Sequence, residues 1–112
     1  MRLTSRQDGG WFIVRVDEKR IDAAGAIAFK EALRSVTDGG AGPVILDLDR
    51  VDFIDSSGLG AIVATMKHLG KERCLHLAAL APNVDRVFRL TRMDTVFPIH
   101  GHVADAIEQD DC

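Results

Sequence analysis

The stretch VILDLDRVDFIDSSGLGAIVATMKHL (44–69) decides how the rest of this chain is read. It begins with VILDL (44–48), a short, nearly all-apolar run with β-branched residues, the pattern of a central strand covered on both faces. It ends with LGAIVATMKHL (59–69), whose length and spacing predict a helix stopped by Gly70. Between them lies DSSGLG (55–60), an acidic residue, two hydroxyls and two glycines at the handover from strand to helix. Helix N-termini leave backbone N–H groups without partners, and Ser56 or Ser57 is an ordinary cap for them. Two rarer roles compete with that plain one: a catalytic serine, and a serine that another protein modifies.

Upstream, residues 2–7 alternate loosely, DGG (8–10) is a turn signal and WFIVRV (11–16) is rich in strand formers, which predicts a hairpin. Asp22 is a suitable cap for a helix over AAGAIAFKEALRSV (23–36), with Ala23, Ala26, Ile27, Phe29, Leu33 and Val36 as its apolar stripe. The breaker segment DGGAGP (38–43) ends it. Downstream, CLHLAAL (74–80) reads as a second buried strand with Cys74 as a small core residue. A short amphipathic helix follows over 82–90. VFPIH (96–100) is a candidate edge strand, where Pro98 is tolerated. HVADAIEQ (102–109) reads as a final surface helix. Strands alternating with helices after a hairpin predict a single α/β domain over 1–112. Its sheet is mixed, with an N-terminal hairpin, parallel crossovers and about four helices.

Composition narrows the function classes. The 112 residues carry a net charge of −3, which argues against nucleic acid as a partner. Arg86, Arg89 and Arg92 are spaced as one solvated helix face. The first ten residues lack the apolar core of a signal peptide, and no apolar run approaches a membrane span, so a cytoplasmic protein is expected. Cys74 and Cys112 make no disulfide framework.

The catalytic reading is weak. A nucleophile elbow needs Gly-x-Ser-x-Gly, but Ile54 stands two before Ser56 and Asp55 two before Ser57. His68, His76, His100 and His102 lack flanking sequence that marks a base, and a lone His-x-His is a poor metal signal. No Gly-Lys-Ser or Gly-Lys-Thr ending marks a nucleotide loop. No catalytic residue, metal or cofactor is expected.

The modification reading begins from the same geometry. A hydroxyl at a helix start, flanked by glycines, is open to another protein. A phosphate there would add about −1.5 to −2 charges beside the positive end of the helix dipole.

With Asp55, Ser56, Ser57, Gly58, Leu59 and Gly60 in sequence after an apolar strand, the chain resembles the STAS domain of bacterial anti-sigma factor antagonists. APNVDRVFRLTRMDTVFPIH (81–100) is similar to the family's later segment. The resemblance implies a phosphoacceptor at Ser56, oriented by Asp55, with Ser57 and Gly58 supplying the cap and first N–H groups. It implies that Asp22 ends a docking loop near the acceptor. The implied partners are an anti-sigma factor with a histidine-kinase-like ATPase fold and a metal-dependent serine phosphatase. Two departures stand out. KRID (19–22) replaces the family's Gly-Glu-Leu-Asp and reverses the charge at position 20, and Arg92 stands where a glycine is common. An unswitched STAS scaffold, serving a transporter or a signalling complex, is the alternative.

Overall fold

The computed structural model describes residues 1–108. Seven strands and four α-helices follow in the order β1 (Leu3–Asp8), β2 (Trp11–Val16), β3 (Arg20–Ile21), α1 (Ala26–Asp38), β4 (Val44–Asp47), β5 (Phe53–Ile54), α2 (Ser56–Leu69), β6 (Leu75–Ala78), α3 (Pro82–Leu90), β7 (Ile99–His100) and α4 (Val103–Ile107). A 3-10 turn, Met93–Thr95, sits between α3 and β7.

The main sheet has the order β1-β2-β4-β6-β7. β1 and β2 are antiparallel, Leu3 opposite Val16 and Asp8 opposite Trp11, joined by Gly9 and Gly10. Both glycines have positive φ, 58° and 86°, the pairing that a two-residue hairpin loop matched to strand twist requires. The remaining pairs are parallel, as crossovers through α1, α2 and α3 demand. VILDL is a central strand: Val44, Ile45 and Leu46 are all buried. Phe12, Val14, Val44, Leu46, Leu75 and Leu77 face the main core with Phe29, Leu33, Ile62 and Phe88 from the helices. Alternate residues Trp11, Ile13, Ile45 and Ala78 form a second cluster with Ala106 of α4. The last helix therefore covers a sheet face and is not merely a surface helix; Gln109, its expected end, lies outside the described residues.

Three further readings are corrected. α1 begins at Ala26 with Gly25 at its N-cap, so Asp22 does not cap it. The Asp22 carbonyl instead accepts the Gly25 N–H at 3.0 Å and closes a turn over 23–25. Ile27 leaves the expected stripe and is 72% exposed. At 100° per residue it points away from Phe29, and Phe29, Leu33 and Thr37 form the buried line. Cys74 precedes β6 and is only half-buried, not a core residue. VFPIH does supply the edge strand β7, and the Pro98 carbonyl accepts the Leu77 N–H at 2.9 Å.

Arg92 lies past the end of α3, not on its face, in the left-handed region at φ 61° and ψ 22°. A side chain there carries strain on the order of 1 kcal/mol that glycine escapes. Arg92→Gly is therefore expected to stabilise the fold by up to about 0.5 kcal/mol, after allowing for glycine's greater freedom in the unfolded chain. A raised urea midpoint at unchanged slope is the expected observation, and a lowered midpoint would place Arg92 in a contact that outweighs its backbone strain.

Candidate functional site

β5 and β3 are too short to show a periodicity, yet together they build the site. Arg20 and Ile21 pair in parallel with Phe53 and Ile54 as a separate two-stranded sheet. The Asp55 N–H donates to the Ile21 carbonyl at 3.3 Å, and the Asp52 N–H to the Lys19 carbonyl at 2.7 Å. The KRID loop is thereby held against the segment entering α2.

Asp55, in extended conformation, is the N-cap of α2, and the helix starts at Ser56 rather than at Leu59. Its Oδ1 accepts the Gly58 N–H at 3.0 Å. Its Oδ2 accepts the Ala23 N–H at 3.0 Å, from the turn that Asp22 opens. One carboxylate therefore caps the helix and ties it to the chain 32 residues upstream. The expectation that Ser57 contributes the cap is corrected: an aspartate one residue before Ser56 reaches the N3 amide, so neither serine is needed there.

The Gly58 N–H above all holds the Asp55 carboxyl below its ordinary value of 3.8; desolvation opposes it, and the Ala23 and Ser57 N–H groups add to the lowering. A carboxyl with a lowered folded pKa stabilises fully above its unfolded value and loses that contribution as pH falls through the folded one. Asp55→Asn keeps an acceptor for Gly58 but cannot accept from Ala23 with its amide nitrogen. The variant is expected to be less stable near pH 7, with the gap to wild type closing below about pH 4. Asp17, lowered chiefly by the Thr4 hydroxyl, and Glu18, lowered chiefly by Arg2, keep part of the acid dependence in both proteins. Urea titrations at a series of pH values measure the gap; a gap that widens in acid would contradict the assignment.

Relieved of capping, Ser56 and Ser57 are exposed at the first two helical positions, and Gly60 is exposed one turn on. Gly58 is buried and Leu59 is half-buried against the main core. Asp22 is half-buried and accepts from Arg20 Nε at 3.3 Å. The Arg20 guanidinium also lies over the Phe53 ring, 4.1 Å from its centroid. The site residues thus divide into an outward set, Ser56, Ser57 and Gly60, and a supporting set, Asp22, Asp55, Gly58 and Leu59. Phe53 and Ile27, two exposed large apolar residues beside this helix start, had no signal of their own in the sequence beyond their neighbourhood.

The histidines lie elsewhere. His68 stands at the far end of α2, about 18 Å along the axis at ~1.5 Å per residue, between Asp38 at 3.0 Å and Arg34 at 3.3 Å. His76 is buried on β6, its Nδ1 2.9 Å from His100 Nε2 and its ring against Trp11. Among the described residues no group of three His, Cys, Asp or Glu side chains could hold a metal ion, and no helix is long and apolar enough to cross a membrane.

Residues 2–106 match the model of the STAS domain family. A protein of Bordetella bronchiseptica named as an anti-sigma factor antagonist, BtrV, is 31% identical over 100 residues, spanning 88% of this chain and 85% of the relative. An anti-sigma factor antagonist from Mycobacterium paratuberculosis superposes with a TM-score of 0.84 at 30% identity, over 95% of this chain and 90% of that one. The Bacillus cell fate determinant SpoIIAA, solved in its phosphorylated form, superposes with a TM-score of 0.67 over 96% of this chain and 97% of its own. At 17% identity that last likeness bears on the fold alone.

Proposed function

The chain belongs to the STAS domain family, and from that premise we propose that it is an anti-sigma factor antagonist switched by phosphorylation of Ser56. Unphosphorylated, it binds an anti-sigma factor of the ATPase type and so frees a sigma factor. The same partner transfers the γ-phosphoryl of ATP to the Ser56 hydroxyl, and a metal-dependent serine phosphatase restores it. The chain is the substrate in this scheme, and the chemistry belongs to its partners.

The observation that carries the reading is the exposed Ser56 at the first position of α2, beside a carboxylate already committed to capping. A phosphate on it would meet the positive dipole end of the helix, which tolerates an anion. Lys67 and His68 in the last turn complement the other end of the same dipole. Asp22 and Asp55 support the acceptor through the 20–23 loop, and Ser57 and Gly60 extend its surface.

Incubation with each purified ATPase-type anti-sigma factor of the source genome and ATP, followed by phosphosite mapping, tests the reading. Phosphate on Ser56 alone, and none on Ser56→Ala, is expected. Phosphate at another residue that persists in Ser56→Ala would reject the assignment.

A further inference from the structure

Beside Ser56 the packed helices α1 and α2 leave an open groove of about 220 Å³, lined by Ile27 and Lys30 from α1 and by Ser57, Gly60 and Ala64 from α2. Its neighbourhood to the proposed switch is covalent, since Ser57 lines it and Ser56 is the next residue. Three features define what fits. Ile27 is 72% exposed, an apolar side chain of that size left in water. The α2 wall is made of small residues, and a Cβ placed on Gly60 would meet nothing within 4 Å. Lys30 is the only charged side chain of the lining, and it forms no ion pair among the described residues. Lys30 and Ala64 also border the next hollow along the helices, where Glu31, Arg34 and His68 lie; Glu31 itself does not line the groove.

We infer that this groove receives an apolar side chain flanked by a carboxylate, from the ATPase-type partner that reads Ser56; the inference rests on the function proposed above. The volume accommodates one large side chain, since a cavity of roughly 150 Å³ takes a benzene ring. The apolar group covers Ile27 and drops onto Gly60, and the carboxylate pairs with Lys30. A like-charged or purely polar segment would leave Ile27 in water and Lys30 unpaired, so the groove selects among partners of one fold. Binding energy concentrates in a few anchors of this kind while surrounding contacts mainly exclude water.

The test is titration calorimetry with each purified ATPase-type anti-sigma factor encoded in the source genome. Against the one that binds, Ile27→Ser and Lys30→Glu are each expected to weaken affinity about tenfold or more, and Leu90→Ser, an exposed change on α3, to leave it unaltered. Gly60→Ala is expected to weaken binding while raising the melting temperature, a combination that a merely structural glycine does not produce. Wild-type affinity in Ile27→Ser and Lys30→Glu, with Ser56→Glu unable to bind, would overturn the groove and leave the switch standing. Weakened groove variants with an unaffected Ser56→Glu would support the groove and overturn the switch. No binding of any such factor by the wild-type chain would overturn both.

Discussion

Gly58→Ala is expected to lower stability by about 3 kcal/mol and the melting temperature by roughly 10–15 °C, at the sensitivity usual for a domain near 100 residues. A Cβ at this position would lie 2.4 Å from the Ile21 carbonyl oxygen, 2.8 Å from Ile21 Cγ2 and 2.9 Å from Ile54 Cγ1. The first of these is backbone, already held by the Asp55 N–H, so it has no easy way to give. Moving α2 outward would relieve the clash only by stretching the Asp55 bonds to Ala23 and Gly58. Alanine's better helix propensity returns about 0.5–1 kcal/mol, too little to reverse the sign. Gly60, two residues on, has nothing within 4 Å of its would-be Cβ. Gly60→Ala should therefore stabilise by about 0.5–1 kcal/mol. Thermal and urea unfolding of the two variants measure the contrast. Equal effects would mean that the α2 start is not pinned against β3.

Ser56→Glu is expected to weaken binding to the ATPase-type partner at least a hundredfold while leaving the fold intact. The fold survives because the N-terminus of α2 favours a negative charge by roughly 0.3–2 kcal/mol. Binding suffers because a hundredfold loss needs only about 2.7 kcal/mol. A single like-charge contact near 4 Å costs about 4 kcal/mol at the effective dielectric of a protein surface. Phosphate carries more charge and more bulk than a glutamate, so the substitution understates the modification. Arg20 is occupied by Asp22 and the Phe53 ring, which limits its ability to neutralise the new charge from its present position. Unchanged affinity in Ser56→Glu, with an unchanged melting curve, would instead describe an unswitched scaffold.

Much of this architecture is legible from residue pattern because the deciding signals are local. Val44, Ile45 and Leu46 are apolar and buried on both faces, and DGG between alternating runs forms the hairpin turn. The motif reads as a helix start for the same reason: Asp, Ser and Gly belong there. Which of them caps is a matter of chain path. Asp55 wins because β5 delivers it in extended conformation, within reach of both Gly58 and Ala23. β3 and β5 pair across more than thirty positions with two residues each, so neither carries a period to detect. Asp22 looked like a cap for α1, but the turn over 23–25 spends the Ala23 N–H on Asp55 and delays the helix to Ala26. Ile27 shows the limit of apolar counting: a residue two positions from Phe29 cannot share its helix face. The site itself followed the same division. Ser56 was visible as a residue type in a motif, whereas its exposure and the freedom of both serines from capping depend on contacts from β3.

The most direct measurement is a pair of affinities for the ATPase-type partner, one for the unmodified chain and one for the chain carrying phosphoserine at position 56 by co-translational incorporation. Tight binding of the first and a loss of a hundredfold or more in the second is the expected result. Equal affinities, with both proteins folded, would show that the hydroxyl at the start of α2 is not the switch.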